Sequence, residues 1–479
     1  GMRVPYLRSG GPHYQFVVDV KSALHRGELT EPDFELVKNT NEGEDAGLAA
    51  QGKITLPVMY SAVDFENWKA AYVTAHLAPE GRNVGDLVCM LSEVLPGALS
   101  LGAYEFPVLK IHKDTSLDVV VDIFEGMNRR GQKLDQFDLM VARLYRELPD
   151  GSRYDLRAAW ESMLEQTSDL PAVGVDLDDG MLPLKLIAKR LSRLDDAIRP
   201  PGVKGLNNKD VLYIPPEQII GATDAPDPSL SLQVAVQALE DAARFLRTVC
   251  GVRSKDLLPQ KSMLLPLADQ FVRPASERVP DEQLKRWFAA VGLSGHYYGS
   301  VNSYADSDCD DLHRWASDTG ATPQDVSSVN RAFIEGIDLR QACTRDGRIL
   351  GVTVMSLLVA GGARDWVPSG LSIATRPDAV ELHHVVPKRR LNAMLPKTVT
   401  RDPIAGLTPL TNTANSRASD KQPSEVMDDL GPDANPILTT HYINRAQMEG
   451  GYNTVSDFEA FLDSRAAALK AFIIATLGL

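Results

Sequence analysis

The chain has 479 residues, 44% apolar and 24% charged, which is ordinary globular usage and excludes a fibrous repeat or a chain too polar to build a core. Fifty Lys and Arg against 64 Asp and Glu give a formal net charge of −14. That counts against a protein that coats DNA non-specifically, because phosphate neutralisation needs cations.

The length suits roughly two to four domains. No apolar run reaches the roughly 18 residues of a membrane span, and no basic-then-apolar leader opens the chain. The four cysteines, Cys89, Cys250, Cys309 and Cys343, are widely spaced and form no C-x-x-C pair. The expectation is a cytoplasmic protein with reduced thiols rather than a disulfide framework or a zinc ribbon.

In chain order, residues 39–52 are rich in Gly, Ala and Glu and read as a loop. Apolar spacing predicts helices over 65–77, around Trp68 and Tyr72, and over 86–95. Residues 104–111 read as an edge strand containing Pro107, followed by a helix over 116–127, a turn at Asn128-Arg129-Arg130-Gly131, and a helix from near Asp135. From about 150 to 350 the pattern is mostly helical. The clearest stripe is Leu232, Val236, Leu239, Ala243 and Leu246 within 229–250, with similar patterns over 283–291 and 329–337. Residues 194–228, rich in Pro, Asp and Asn, read as a loop or linker, and an irregular segment starts at Tyr297. Residues 351–360 read as a buried helix ended by Gly361-Gly362. A short strand over 380–386, a second over 407–410, a helix from Asn412 and a long C-terminal helix over 455–477 complete the chain.

The chemistry concentrates in Glu381-Leu-His383-His384-Val-Val-Pro387-Lys388 and, further on, Leu407 to Pro423. Hydrolysing a phosphodiester needs a base for water, a cation to stabilise charge on the phosphate, and a group that holds the phosphate. A neutral histidine supplies the first, because its ordinary pKa near 6.5 leaves it largely unprotonated at physiological pH. A second histidine and an asparagine oxygen suit one divalent ion with open positions for water and substrate. Alternation along a strand points neighbouring residues to opposite faces, so both histidines serve one site only where the chain bends or where one supports the site from behind. A lone His-His pair more often is structural, and Asn415 alone reads as a turn or cap residue. It is their conjunction that points to a site. Glu381 is a further candidate for it, whereas His112 and His441 read as ordinary structural or surface histidines. Lys388, Arg389 and Arg390 form a local basic cluster suited to DNA contact.

These segments resemble the HNH (His-Me finger) nucleases, and more narrowly the C-terminal half of the GmrSD-like modification-dependent restriction proteins. There a His-His-x-x-Pro-Lys segment precedes an Asn-x-x-x-x-x-Lys-x-Pro segment, here His383, His384, Pro387, Lys388, Asn415, Lys421 and Pro423. The segment from Val119 to Asp135 and Gly362-Ala-Arg-Asp-Trp366 are similar to further signatures of that family. The resemblance implies His384 as general base, His383 and Asn415 as metal ligands, Lys421 as a phosphate contact, and Mg²⁺ or Mn²⁺ as cofactor.

Two departures stand out. The Asp-Gly-Gln-Gln-Arg motif of the family's N-terminal domain is absent, so no NTP hydrolysis is expected of this chain alone. The middle Asn of many HNH motifs falls at Gly406.

The expectation is therefore a mainly helical α+β protein in three parts. Residues 1–150 would be a partial N-terminal domain, 151–350 a helical middle, and 351–479 a ββα-metal nuclease module with its C-terminal helix. Its expected substrate is DNA, modified or foreign, cut in a defence system. The alternative is a catalytically weak DNA-binding or regulatory subunit that needs a partner NTPase encoded upstream. No membrane partner is expected.

Overall fold

The structure is a computed structural model that describes residues 14–26, 34–38, 45–55, 58, 62–80, 83–95, 119, 123, 135–147 and 153–479, except 319, 345–346, 397–398 and 451. The strand expected at 104–111, the turn at 128–131 and nearly all of the helix at 116–127 lie outside those residues. The chain divides into two units, Gly1–Lys133 and Leu134–Leu479. Among the described residues it is a mainly helical α+β protein with one three-stranded and two two-stranded sheets. No described helix is long and apolar enough to cross a membrane.

In the first unit, β1 (Tyr14–Asp19) runs into α1 (Val20–Arg26) and lies between β2 (Phe34–Lys38) and β3 (Lys53–Thr55), antiparallel to both. The stretch read as a loop holds α2 (Asp45–Gln51), whose alanines favour helix and whose end is turned by Gly52 at φ 77°. The Gly52 carbonyl then accepts from Val20 N at 2.9 Å, tying the turn to the start of α1. Over α3 (Ala62–Glu80), Phe65, Trp68, Tyr72, Val73 and His76 are buried at the spacing of one helical face. With α4 (Val84–Val94), Val18, Ile54 and Leu91 they close a small core.

The second unit opens on α5 (Gln136–Leu144), capped by Asp135 and Asp138, each accepting from the other's backbone N–H. Then follow the antiparallel pair β4 (Arg146–Glu147) and β5 (Arg153–Tyr154), α6 (Leu156–Glu165), α7 (Met181–Leu191), α8 (Leu232–Thr248, capped by Ser231), α9 (Leu264–Phe271), α10 (Asp281–Leu293), α11 (Val301–Ser317) and α12 (Arg348–Ala360). Every residue of α12 from Ile349 to Val359 is buried, so it is the axis of this unit. It crosses α10 at Gly292, where a Cβ would lie 2.2 Å from Thr353 Oγ1. Only glycine permits so close an approach.

Two expectations fail here for physical reasons. The irregular segment expected after Tyr297 is largely α11, a 17-residue helix. Its Asp- and Ser-rich sequence is a poor helix former by itself. Long-range ion pairs hold it, because Lys189 of α7, only 3% exposed, reaches Asp306 and Asp310 at 2.8 Å each. The linker expected over 194–228 is an ordered part of the unit, with short helices at Asn208–Val211 and Pro216–Ile220. Its centre is the fully buried Gln218, which donates to Asp227 O and accepts from Asp227 N.

The C-terminal segment follows the expectation closely. β6 (Val380–His384) and β7 (Leu407–Thr411) pair antiparallel, with His383 opposite Thr408 and His384 opposite Leu407. Between them lies α13 (Lys388–Met394), and after them come α14 (Asn412–Ala418) and α15 (Pro423–Leu430). The last helix, α16 (Val455–Leu477), buries Phe458, Phe461, Leu462, Leu469 and Ile473, the apolar positions read from sequence.

Candidate functional site

Strand β6 ends at His384, and the chain bends at once into Val385 and Val386. Both histidines line one cavity of about 360 Å³. Leu382, Pro387, Lys388, Asn415, Ser416, Ser419 and Asp420 complete its wall. α14 carries Asn415 across from the strand. Its start is fixed by Thr411, whose hydroxyl caps Ala414 N and donates to the fully buried Asp365 at 2.6 Å.

Inside the cavity His383 Nδ1 lies 2.7 Å from Asn415 Oδ1. The amide of Asn415 is oriented from behind, since its Nδ2 donates to Glu381 Oε2 at 2.5 Å. Glu381 and His383 are two residues apart on one strand, hence on one face. His383 is 7% exposed, and the edge of its ring meets Trp366 at 5.4 Å between centroids. Burial, together with the neighbouring His384, lowers the His383 pKa to about 4 against the pull of Asn415, so the ring is neutral at physiological pH. His384 turns its Nε2 toward Asp402 Oδ1 at 2.8 Å, and Lys388 Nζ meets the same oxygen at 2.9 Å. Burial raises the Asp402 pKa, but Lys388 and His384 outweigh it and hold the carboxyl below its usual value.

The structure therefore brings His383, His384, Asn415 and Lys388 together. Arg389 is exposed on α13 and Lys421 pairs with Asp429, and neither is among the residues lining the cavity. Arg390 is bonded to Gln422 and Asn453.

Comparisons with known proteins add a distant relative. An uncharacterized protein of Methanocaldococcus jannaschii is 20% identical over 370 aligned residues. The alignment covers 73% of this chain and 59% of that protein, so the chain spans less than two thirds of its relative. No family model matches, and no solved structure gives a significant match.

Behind the cavity, Gly362-Ala-Arg-Asp-Trp366 is its scaffold. The Arg364 carbonyl accepts from His441 Nε2 at 2.6 Å, Asp365 holds Thr411, and Trp366 lies edge-on to both His383 and His441. His441 is fully buried, with its Nδ1 2.6 Å from Thr408 Oγ1, and burial lowers its pKa to about 3. It is structural, as its sequence context suggested. Ser254 of the helical region donates to Val380 O at 2.5 Å and anchors the start of β6.

Sequence reasoning missed Asp402. It lies in the insert between the two strands, and neither periodicity nor spacing marks a loop carboxylate. Sequence reasoning also missed a second cluster, His296, Asp308 and Asp325, whose ligand-type atoms lie within 4.8 Å of one another. His296 Nδ1 is 3.1 Å from Asp325 Oδ2 and its Nε2 is 3.3 Å from Asp308 Oδ1, while Tyr297 donates to Asp308 at 2.5 Å. The imidazole thus uses opposite nitrogens for two carboxylates, which is the geometry of a charge clamp rather than of three ligands converging on one ion.

Proposed function

We propose that the cavity at His383, His384 and Asn415 hydrolyses phosphodiester bonds of DNA with the help of a divalent cation, as a ββα-metal site of the HNH type. The observation that carries the reading is the 2.7 Å approach of His383 Nδ1 to Asn415 Oδ1 in a cavity that His384 also lines. A neutral imidazole nitrogen and an amide oxygen on one wall are a donor set for Mg²⁺ or Mn²⁺. In the metal-free state the Nδ1 proton bridges the two atoms, and a cation would take that proton's place. Glu381 supports the fit by holding the Asn415 amide with its oxygen turned toward His383.

When bound, the cation supplies charge stabilisation at the phosphate. The protein's own part is proton transfer and positioning. His384 takes a proton from water as the water oxygen bonds to phosphorus and the bond to the leaving sugar oxygen breaks. Lys388 at the rim attracts the phosphate. A role against modified or foreign DNA follows from the family resemblance.

The test is plasmid cleavage with Mg²⁺, with Mn²⁺ and with EDTA. Wild-type protein should cut only with metal, and His384→Ala should lose about 10²–10⁴-fold in rate while still binding Mn²⁺ in calorimetry. Metal-dependent cutting that survives His384→Ala removes the proposed base. DNA binding without cleavage would instead favour the regulatory-subunit reading.

A further inference from the structure

We infer that Asp402 is a positioning residue that decides which nitrogen of His384 faces the cavity, an assignment that rests on the hydrolase reading above. A carboxylate can only accept a hydrogen bond. With Asp402 Oδ1 2.8 Å from Nε2, the neutral imidazole carries its proton on Nε2 and keeps its lone pair on Nδ1. A base must present a lone pair to water, so the partner of the far nitrogen selects the working tautomer.

The carboxylate is itself held in place by long-range structure. The Asp402 carbonyl accepts from Cys343 N at 2.7 Å, Pro403 pairs with Ala342 as an antiparallel bridge, and Ile404 N and Ala405 N donate to Gln341 O and Leu339 O at 3.0 and 2.8 Å. The segment 339–343 therefore anneals to the loop like an extra strand. From the other side the buried Arg465 of α16 donates to Ala405 O at 2.7 Å. Lys388 grips the same Asp402 oxygen and fixes the rotamer. The Gly406 carbonyl accepts from Val385 N at 3.0 Å, tying the end of the loop back to the first strand.

The bland alternative is a rim ion pair between Lys388 and Asp402 that His384 merely touches. Nitrogen-15 spectra of the full chain labelled in histidine, with His384 assigned by its loss in His384→Gln, separate the two. Wild type should show His384 protonated on Nε2, Asp402→Ala should lose that preference, and Asp402→Glu should restore it at least in part. In plasmid cleavage with Mn²⁺, Asp402→Ala should lower kcat about 10–100-fold, with KM and Mn²⁺ affinity unchanged.

An unchanged His384 tautomer in Asp402→Ala overturns the inference, as does a loss that appears in Mn²⁺ affinity or KM instead of kcat. Should Asp402→Ala fail to fold, Asp402→Asn keeps the shape while offering His384 an amide NH₂, and it is read in the same way. Should wild type cut nothing, the hydrolase reading falls, and the tautomer measurement still decides what Asp402 does.

Discussion

Two histidine sites in the second unit carry opposite electrostatics. At the cavity, His383 faces an amide oxygen, an indole edge and another histidine, and burial lowers its pKa to about 4. In the clamp, burial also favours the neutral ring of His296, but Asp308 and Asp325 overcome it and raise its pKa to about 10. The residue type is the same and so is the sign of the desolvation effect. What differs is whether carboxylates face the ring. A histidine backed by neutral groups keeps a lone pair for a ligand, whereas one between two carboxylates becomes a fixed cation that joins elements. Here that cation connects α11 with the short helix Gln324–Ser328.

The largest expected effect comes from removing the wall that keeps His383 neutral. Trp366 is 2% exposed, so Trp366→Ala should cost about 3–5 kcal/mol in urea unfolding and should abolish Mn²⁺ binding in the folded fraction. A small loss would mean that the indole is not what buries the ring.

Next in size is the pH dependence of stability, which should have two flanks with separate owners. The folded-state pKa of His296 is raised, so its contribution is complete below about 6.5 and disappears as pH rises toward about 10. His441 and His383 are lowered to about 3 and about 4. Their contribution is complete above about 6.5 and is lost as pH falls toward those values. Denaturation midpoints across pH should therefore fall off on both sides. His296→Gln should flatten the alkaline flank alone, and His441→Gln should lessen the acid flank, leaving the share that belongs to His383. If either substitution flattens the opposite flank, the comparison is broken.

The smallest effect concerns the rim. Lys421 and Asp429 are both more than a third exposed, and a pair so open to solvent is screened and adds little stability. Lys421→Ala should leave the unfolding midpoint nearly unchanged, while weakening DNA binding if the lysine reaches phosphate. A large stability loss would make it structural instead.

Much of this protein is legible in its sequence. The short strand carrying His383 and His384, the strand that pairs with it, the following helix with Asn415, the buried helix over 351–360 and the final helix over 455–477 follow from apolar periodicity and local turn chemistry, which act over a few residues. Sequence reasoning misses the helix Lys388–Met394 between the strands. The chemical types at the candidate site, two histidines and an asparagine, are equally a property of the sequence. What lies outside that reach depends on partners distant in the chain. α11 forms because Lys189 lies more than a hundred residues upstream, with Asp306 and Asp310 within its reach. The clamp exists because Asp308 and Asp325 fold onto His296. Asp402 meets His384 because the segment 339–343 pins the loop between the strands. No local pattern encodes those distances, and electrostatic effects on a pKa depend steeply on distance and burial. Sequence alone thus determined which residues could do chemistry, and the tertiary structure alone decided which histidine would be neutral, which charged, and which way each ring would face.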